Sequence, residues 1–163
     1  MVAGSGDVPL YDAAGSILYE FKNRACGDEY EMYEYWSGSQ KISTCLYFEE
    51  ESRTNFPLAD WECRKKDGSL ASAKSLEKCA MLRQICPDDQ FWVGLERRGN
   101  VFAWKQDDSV MSPEQIEELF VPGYPRSSSS GTCVKMDRPP TTKLKNYPCQ
   151  FGYKYFCEAK PGC

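Results

Sequence analysis

Nine cysteines limit what this 163-residue chain can fold into more than any other feature of its sequence. A protein in a reducing compartment usually keeps so many cysteines only for metal binding or redox chemistry. The chain has no histidine, and no two of its cysteines have the Cys-x-x-Cys spacing of zinc ribbons. The cysteines therefore favour disulfide bonds and an extracellular protein, either secreted or the ectodomain of a membrane protein.

Charge is distributed unevenly along the chain. Residues 1–60 contain 11 acidic residues (Asp and Glu) and 4 basic residues (Lys and Arg). Residues 121–163 contain 2 acidic and 7 basic residues. The net charge of −4 argues against general nucleic-acid binding, which needs a basic surface to contact phosphates. The basic C-terminal part could still bind an acidic partner, although the more common role of any single charge is to be solvated at the surface.

The hydrophobic periodicity predicts both helices and strands. Residues 55–64 and 72–85 have the period of a helix, and a helical turn is expected at residues 113–119 inside a long loop at 106–131. Strands are predicted at residues 16–21, 46–48, 90–95, 101–104, 132–136 and 153–157.

Several short motifs follow one another in a specific order. They are Cys45-Leu46-Tyr47-Phe48, the helix with Ala59, Cys63, Gly68, Leu70 and Ala71, Trp92-Val93-Gly94-Leu95, Phe102-Ala103-Trp104, Pro148-Cys149 and Phe156-Cys157-Glu158. Taken together, they resemble the C-type lectin-like superfamily over residues 26–158. The resemblance implies an α+β fold with two helices flanking small antiparallel sheets and a long loop region. Residues 1–25 would be an N-terminal arm with the first strand, and residues 159–163 a C-terminal tail.

The same resemblance implies three disulfide bonds. Cys63 would pair with Cys157, Cys133 with Cys149, and Cys26 with Cys45, the last marking the long form of the domain. Three cysteines stay unassigned. Cys79 and Cys86 could pair if the second helix ended between them, which would leave Cys163 for a bond to another chain.

Sugar-binding members of this superfamily hold calcium with oxygens from two places. One is a Glu-Pro-Asn or Gln-Pro-Asp triplet in the long loop, and the other is Trp-Asn-Asp before the last Pro-Cys step. Here the two places read Tyr124-Pro125-Arg126 and Leu144-Lys145-Asn146. Because a guanidinium and an ammonium repel a divalent cation, we expect no metal or other cofactor there. Pro125 is compatible with a cis bond, and Asp107-Asp108 could make an auxiliary calcium contact.

Catalysis has little support in the sequence, because it offers no histidine base, no Gly-x-Ser-x-Gly elbow and no Gly-rich phosphate loop. We therefore predict a module that recognises a protein ligand or receptor, without calcium, through the long loop. Calcium-independent binding of a glycan or sulfated polysaccharide is the alternative. The predicted ligand-binding residues for the two functions are Tyr124, Arg126, Lys135, Arg138, Lys143 and Lys145.

A structural or oligomeric role is the third hypothesis. Cys163 could link two chains, and the acidic aromatic segment at residues 30–36 could pack on a neighbouring copy. The competing interpretation, which we favour, is that these rings form the core of the N-terminal hairpin.

Overall fold

The computed structural model describes residues 26–127 and 131–162. The predicted strand at residues 16–21 and Cys163 lie outside these ranges. The helices are α1 (Phe56–Lys65), α2 (Leu76–Ile85) and α3 (Pro113–Leu119). The strands are β1 (Glu31–Ser37), β2 (Gln40–Thr54), β3 (Ser69–Leu70), β4 (Phe91–Arg98), β5 (Val101–Trp104), β6 (Cys133–Met136), β7 (Leu144–Tyr147) and β8 (Tyr153–Ala159). None of the helices in the described ranges is long and apolar enough to cross a membrane.

The strands form one mixed sheet. Its order is β1-β2-β8-β4-β6-β7, with β3 paired to β8 and β5 paired to β4. The expected antiparallel pairings are present, and a parallel pairing of β4 with β8 joins them into a single sheet. The α+β prediction is confirmed, with α3 as a third helix at the residues where a helical turn was expected.

Each helix begins at a polar capping residue. The Asn55 side chain accepts a hydrogen bond from the Leu58 amide at the start of α1, and Ser75 does the same for α2. Helix α2 begins later than the predicted residue 72. The reason is that the Ser72 amide donates to the buried carboxylate of Glu158, which holds that segment extended.

The hydrophobic core lies on both faces of β4. Phe91, Val93 and Leu95 belong to one buried cluster, whereas Trp92 belongs to the other, as the alternation of a strand requires. The Trp92 indole N–H donates to the Thr54 carbonyl at 2.8 Å. Both faces of β4 are therefore covered by the core of the domain.

All three implied disulfides are confirmed. Their Cα–Cα distances are 5.4 Å for Cys26–Cys45, 5.2 Å for Cys63–Cys157 and 5.3 Å for Cys133–Cys149.

The suggested pairing of Cys79 with Cys86 is wrong, because both are buried free thiols. Helix α2 does not end between them. It continues to Ile85, and Cys86 is its C-cap. Seven residues of helix separate the two Cα atoms by about 10 Å, which exceeds the roughly 7 Å that a disulfide can span.

The aromatic hairpin packs mostly on its own domain. Tyr30, Met32 and Tyr33 are buried, whereas Trp36 near the hairpin turn is 58% exposed. The favoured interpretation of these rings as hairpin core therefore holds for Tyr30 and Tyr33.

Candidate functional site

The long loop lies against β7, a strand that the sequence pattern did not reveal. The Val121 amide donates to the Leu144 carbonyl at 2.8 Å, and the Tyr124 amide donates to the Val121 carbonyl at 2.9 Å. In β7, Leu144 and Asn146 are buried, while Lys145 between them is partly exposed. The strand therefore directs an amide into the domain and an ammonium toward the loop surface.

Asn146 ties the loop to the sheet with its side chain. Its Oδ1 accepts from the Arg126 amide at 2.8 Å, and its Nδ2 donates to the carbonyls of Arg126 at 2.9 Å and Gly131 at 2.8 Å. The side chain is inside the protein, and the residue is only 4% exposed. The loop is thus fixed at residues 126 and 131 by uncharged hydrogen bonds.

Two cations contact one aromatic ring on the loop surface. The Arg126 guanidinium lies 4.7 Å and the Lys145 ammonium 4.9 Å from the centroid of the Tyr124 ring. The ring's negative face attracts both groups and offsets part of their mutual repulsion. The Tyr124–Pro125 peptide is cis, as Pro125 led us to expect.

Arg97 also belongs to this surface, although the predicted strand ends at residue 95 and does not include it. Its Nη2 donates to the Arg126 carbonyl. The hairpin turn contains only Gly99 and Asn100, because Arg98 already pairs with Val101. This two-residue turn was the signal that could have placed Arg97 in β4. We call the surface formed by Tyr124, Arg126, Lys145 and Arg97 the long-loop face.

Two of the other predicted ligand-binding residues lie on the surface but outside this cluster. The Lys143 ammonium donates to the Glu118 carbonyl at the C-terminal end of α3, where a helix favours a cation. Arg138 is exposed and lines a separate groove with Asp88, Asp89, Gln90 and Pro139.

For Lys135 the structure corrects the prediction, because the residue is only 3% exposed. Its ammonium lies 4.0 Å from the Tyr147 ring centroid and 4.6 Å from that of Tyr153, and it donates to Gln90. Burial lowers the pKa of Lys135 to about 8. The side chain therefore packs in the interior and does not offer a charge to a sulfate.

The residues at the two family calcium positions do not fit a calcium ion. They supply a phenol, a guanidinium, an ammonium and one amide, whereas calcium takes six to eight oxygen ligands that include carboxylates. The amide oxygen of Asn146 already accepts the Arg126 N–H. Over residues 26–127 and 131–162, no three Asp, Glu, Cys or His residues form a group that could hold a metal ion.

Asp107 and Asp108 are each paired with a cation. Asp107 accepts from Lys74 and from Ser109, and these hydrogen bonds lower the pKa of its carboxyl. Asp108 accepts from Arg98 at 2.8 Å. The pair therefore forms surface ion pairs with neighbouring elements.

Comparisons with known proteins agree with this fold. The model of the Lectin C-type domain family matches residues 52–159. C-type lectin domain-containing protein 91 of Caenorhabditis elegans is 27% identical over an alignment of 136 residues, and the match covers 74% of this chain. The chain spans 60% of the length of that relative.

Solved structures share the same architecture. A calcium-independent type II antifreeze protein is 21% identical with a TM-score of 0.65, and the match covers 83% of this chain and 95% of that chain. The C-type lectin domain of murine dendritic cell inhibitory receptor 2, solved in complex with an N-glycan, is 16% identical with a TM-score of 0.66 over 83% and 98% of the two chains. At these identities the likeness concerns the fold alone. With the motif order, the three disulfides and the family match in agreement, this chain belongs to the Lectin C-type domain family.

Proposed function

We propose that this domain is an extracellular recognition module that binds an acidic protein partner through the long-loop face without calcium. The observation that carries the proposal is the placement of Arg126 and Lys145 on the Tyr124 ring, above a loop that Asn146 fixes. The proposed bounds of the module are residues 26–158, and its three disulfides support an oxidising environment. The proposal assigns no catalytic role to any residue.

The chemistry of this surface suits a protein partner. Tyrosine and arginine are enriched among residues that contribute most to protein–protein affinity. The two cations can pair with a carboxylate of the partner, and the ring can pack on an apolar side chain next to that carboxylate. Because Asn146 already orders the loop backbone, a partner has less conformational entropy to remove on binding.

Binding of a sulfated polysaccharide has weaker support. That alternative relies on Lys135, Arg138, Lys143 and Lys145 as point charges for sulfates. Lys135 is buried, and Arg138 lies in a separate groove. Lys143 is held at the end of α3, so Arg126 and Lys145 are left as a compact pair, whereas a long sulfated chain needs an extended basic row.

The proposal can be tested with an oligo-glutamate peptide as the probe. Isothermal titration should give the same affinity in EDTA and in calcium, and NMR shifts should concentrate at Tyr124, Arg126 and Lys145. We expect the double variant Arg126→Glu/Lys145→Glu to lose at least about tenfold in affinity, because it reverses both charges at the face.

A matched control reverses two exposed cations elsewhere, Arg138→Glu and Lys160→Glu, and should bind the peptide nearly as well as the unmodified protein. An equal loss in both double variants would reject the long-loop face as the site. A requirement for calcium would reject the proposed mechanism. Retention on a heparin column above physiological salt, lost in the Arg126/Lys145 variant, would favour the sulfated-glycan alternative over an acidic protein.

A further inference from the structure

A second groove lies on the N-terminal hairpin, on residues that do not belong to the long-loop face. Its volume is about 420 Å³. Its aromatic side chains are Tyr33, Tyr47 and Phe48, and its acidic side chains are Glu29, Glu31 and Glu50. We call it the hairpin groove. It combines an apolar floor with an acidic rim, which is the composition that a long cationic side chain needs.

The floor of the hairpin groove is preformed. Phe48 stacks on Phe156 with ring centroids 4.4 Å apart and planes at 15°. Tyr33 is 7% exposed and belongs to the main hydrophobic core. Because these rings are held by the core of the domain, they offer a fixed apolar surface on which a methylene chain can pack.

The rim has carboxylates that are available for a ligand. Glu31 and Glu50 are both exposed. Within the described part of the chain, Glu31 accepts one hydrogen bond, from the Tyr33 hydroxyl at 3.3 Å, and Glu50 has no ion pair. Neither carboxylate is therefore neutralised by a lysine or arginine of the described residues, in contrast to Asp89 or Asp107 elsewhere on the surface.

The chain's own Lys66 illustrates how the rim holds an ammonium. Its Nζ lies 3.0 Å from Glu29 Oε1 and 4.7 Å from the centroid of the Tyr47 ring. A carboxylate and an aromatic face thus bind the same cation at one end of the groove. Glu31 and Glu50 extend this chemistry along the rim, where that lysine does not pair with them.

We propose that the hairpin groove is a docking site for a lysine-bearing segment of a protein partner. The methylene stems of the lysines pack on the aromatic floor, and the ammonium groups pair with Glu31 and Glu50. Charge complementarity identifies the occupant, because the described residues that line the groove include Glu29, Glu31 and Glu50 and no lysine or arginine. The site does not depend on the long-loop face, which has the opposite charge and comes from residues 97–146.

The test uses an N-acetylated, C-amidated trilysine peptide and the full chain. In NMR, the lysine methylene protons should shift upfield, because protons over an aromatic ring feel its ring current. Affinity by isothermal titration should fall at least about tenfold in the variant Glu31→Gln/Glu50→Gln, which removes both pairing charges. The same peptide with acetylated lysines should not bind, since it keeps the stems but lacks the charges.

The matched control is Glu117→Gln/Glu118→Gln, which changes the net charge equally at exposed positions of α3. We expect it to bind the trilysine peptide like the unmodified protein, and so should Arg126→Glu/Lys145→Glu. Equal losses in the two glutamine variants would overturn the proposal by reducing it to long-range attraction. Self-association in sedimentation that disappears in Glu31→Gln/Glu50→Gln would overturn it in favour of a second copy as the occupant.

Discussion

Lys135 is a cation held in the protein interior by aromatic rings rather than by an acid. It lies on β6 between Tyr147 and Tyr153, and its ammonium donates to Gln90 and to the Tyr153 hydroxyl. Ring faces and neutral oxygens compensate only part of the lost hydration of a buried charge. The fold therefore favours the uncharged amine, which is the physical cause of the lowered pKa.

This predicts a pH dependence of stability that is specific to Lys135. Its pKa falls from 10.5 to about 8 in the folded protein, so between these values the unfolded chain binds one proton more. Stability should therefore rise with pH from about 8 to 10.5, by at most about 3 kcal/mol, and this gain should be lost as pH falls through 8.

Urea unfolding at pH 7 and pH 10 checks the prediction. From pH 7 to pH 10, the unfolding free energy of the unmodified protein should rise relative to that of Lys135→Met. Lys160→Met, at an exposed lysine, should show no such change. A pH-independent difference for Lys135→Met would contradict the buried-charge explanation.

Sequence reasoning located Tyr124, Arg126 and Lys145 because motif order placed them in the loop and before the last Pro-Cys step. It did not reveal that Lys135 is buried, since a lysine in a strand is usually exposed. It also treated Asn146 only as part of the second calcium position of the family. Its hydrogen bonds to residues 126 and 131 connect positions far apart in the sequence, and no local pattern encodes them.

At the scale of elements, a buried ion pair joins α2 to β8. Lys78 Nζ lies 2.7 Å from Glu158 Oε2, and the two side chains are 4% and 5% exposed. Thr44 and the Ser72 amide donate to the same carboxylate. Burial alone would raise the pKa of Glu158, but the ion pair and these hydrogen bonds outweigh it and lower the pKa.

Removing the cation should therefore leave a costly buried charge. We expect Lys78→Met to lose about 3–5 kcal/mol of unfolding free energy at neutral pH. Without Lys78, burial should raise the pKa of Glu158, so the variant should regain stability relative to the unmodified protein as pH falls from 7 to 5. Chemical denaturation at the two pH values measures both effects.

The double variant Lys78→Met/Glu158→Gln separates charge from packing. It should recover part of the stability that Lys78→Met loses, because no unpaired charge remains inside. If the single and double variants were equally unstable and their pH profiles were parallel to that of the unmodified protein, the cost would lie in packing alone.

Elements with strong periodicity and clear ends could be predicted, and the others could not. Helix α1 has Asn55 before it and is within one residue of the prediction at each end. Strand β7 was missed because Leu144-Lys145-Asn146-Tyr147 alternates buried and exposed residues with a buried amide in place of an apolar side chain. Strand β2 was predicted too short, since the residues at its two ends are mostly polar or charged and lack the apolar alternation that indicates a strand.

At the scale of the whole molecule, the disulfides differ in how much of the chain they restrain. Cys63–Cys157 joins residues 94 apart, whereas Cys133–Cys149 joins residues 16 apart. The loss of chain entropy in the unfolded state is worth about 4.7 kcal/mol for a loop near 100 residues and about 3 kcal/mol for one near 15.

We therefore expect Cys63→Ala/Cys157→Ala to be less stable than Cys133→Ala/Cys149→Ala by about 1.5 kcal/mol. Guanidinium unfolding of the oxidised proteins provides the comparison. Each double variant keeps the other two bridges, so each serves as the control for the other. Equal stabilities, or the reverse order, would show that local packing and not chain entropy dominates.

The charge distribution along the sequence becomes a spatial one in the fold. The acidic hairpin groove comes from residues 29–50 and the basic long-loop face from residues 97–146. A single domain thus presents two surfaces of opposite sign, and the two proposed partners would not compete. The motif order alone predicted the fold and its three bridges, but only the structure shows that these charges lie on two separate surfaces.

The amide of Asn146 also determines how this module would respond to its surroundings. A side-chain amide has no proton to gain or lose at physiological pH, and its three bonds join uncharged groups of one chain. Neither acidification nor withdrawal of divalent ions removes any of them. Under the proposed function, we therefore expect that release of the protein partner at acidic pH comes from protonation of the partner's own carboxylates, and not from loss of the Asn146 hydrogen bonds.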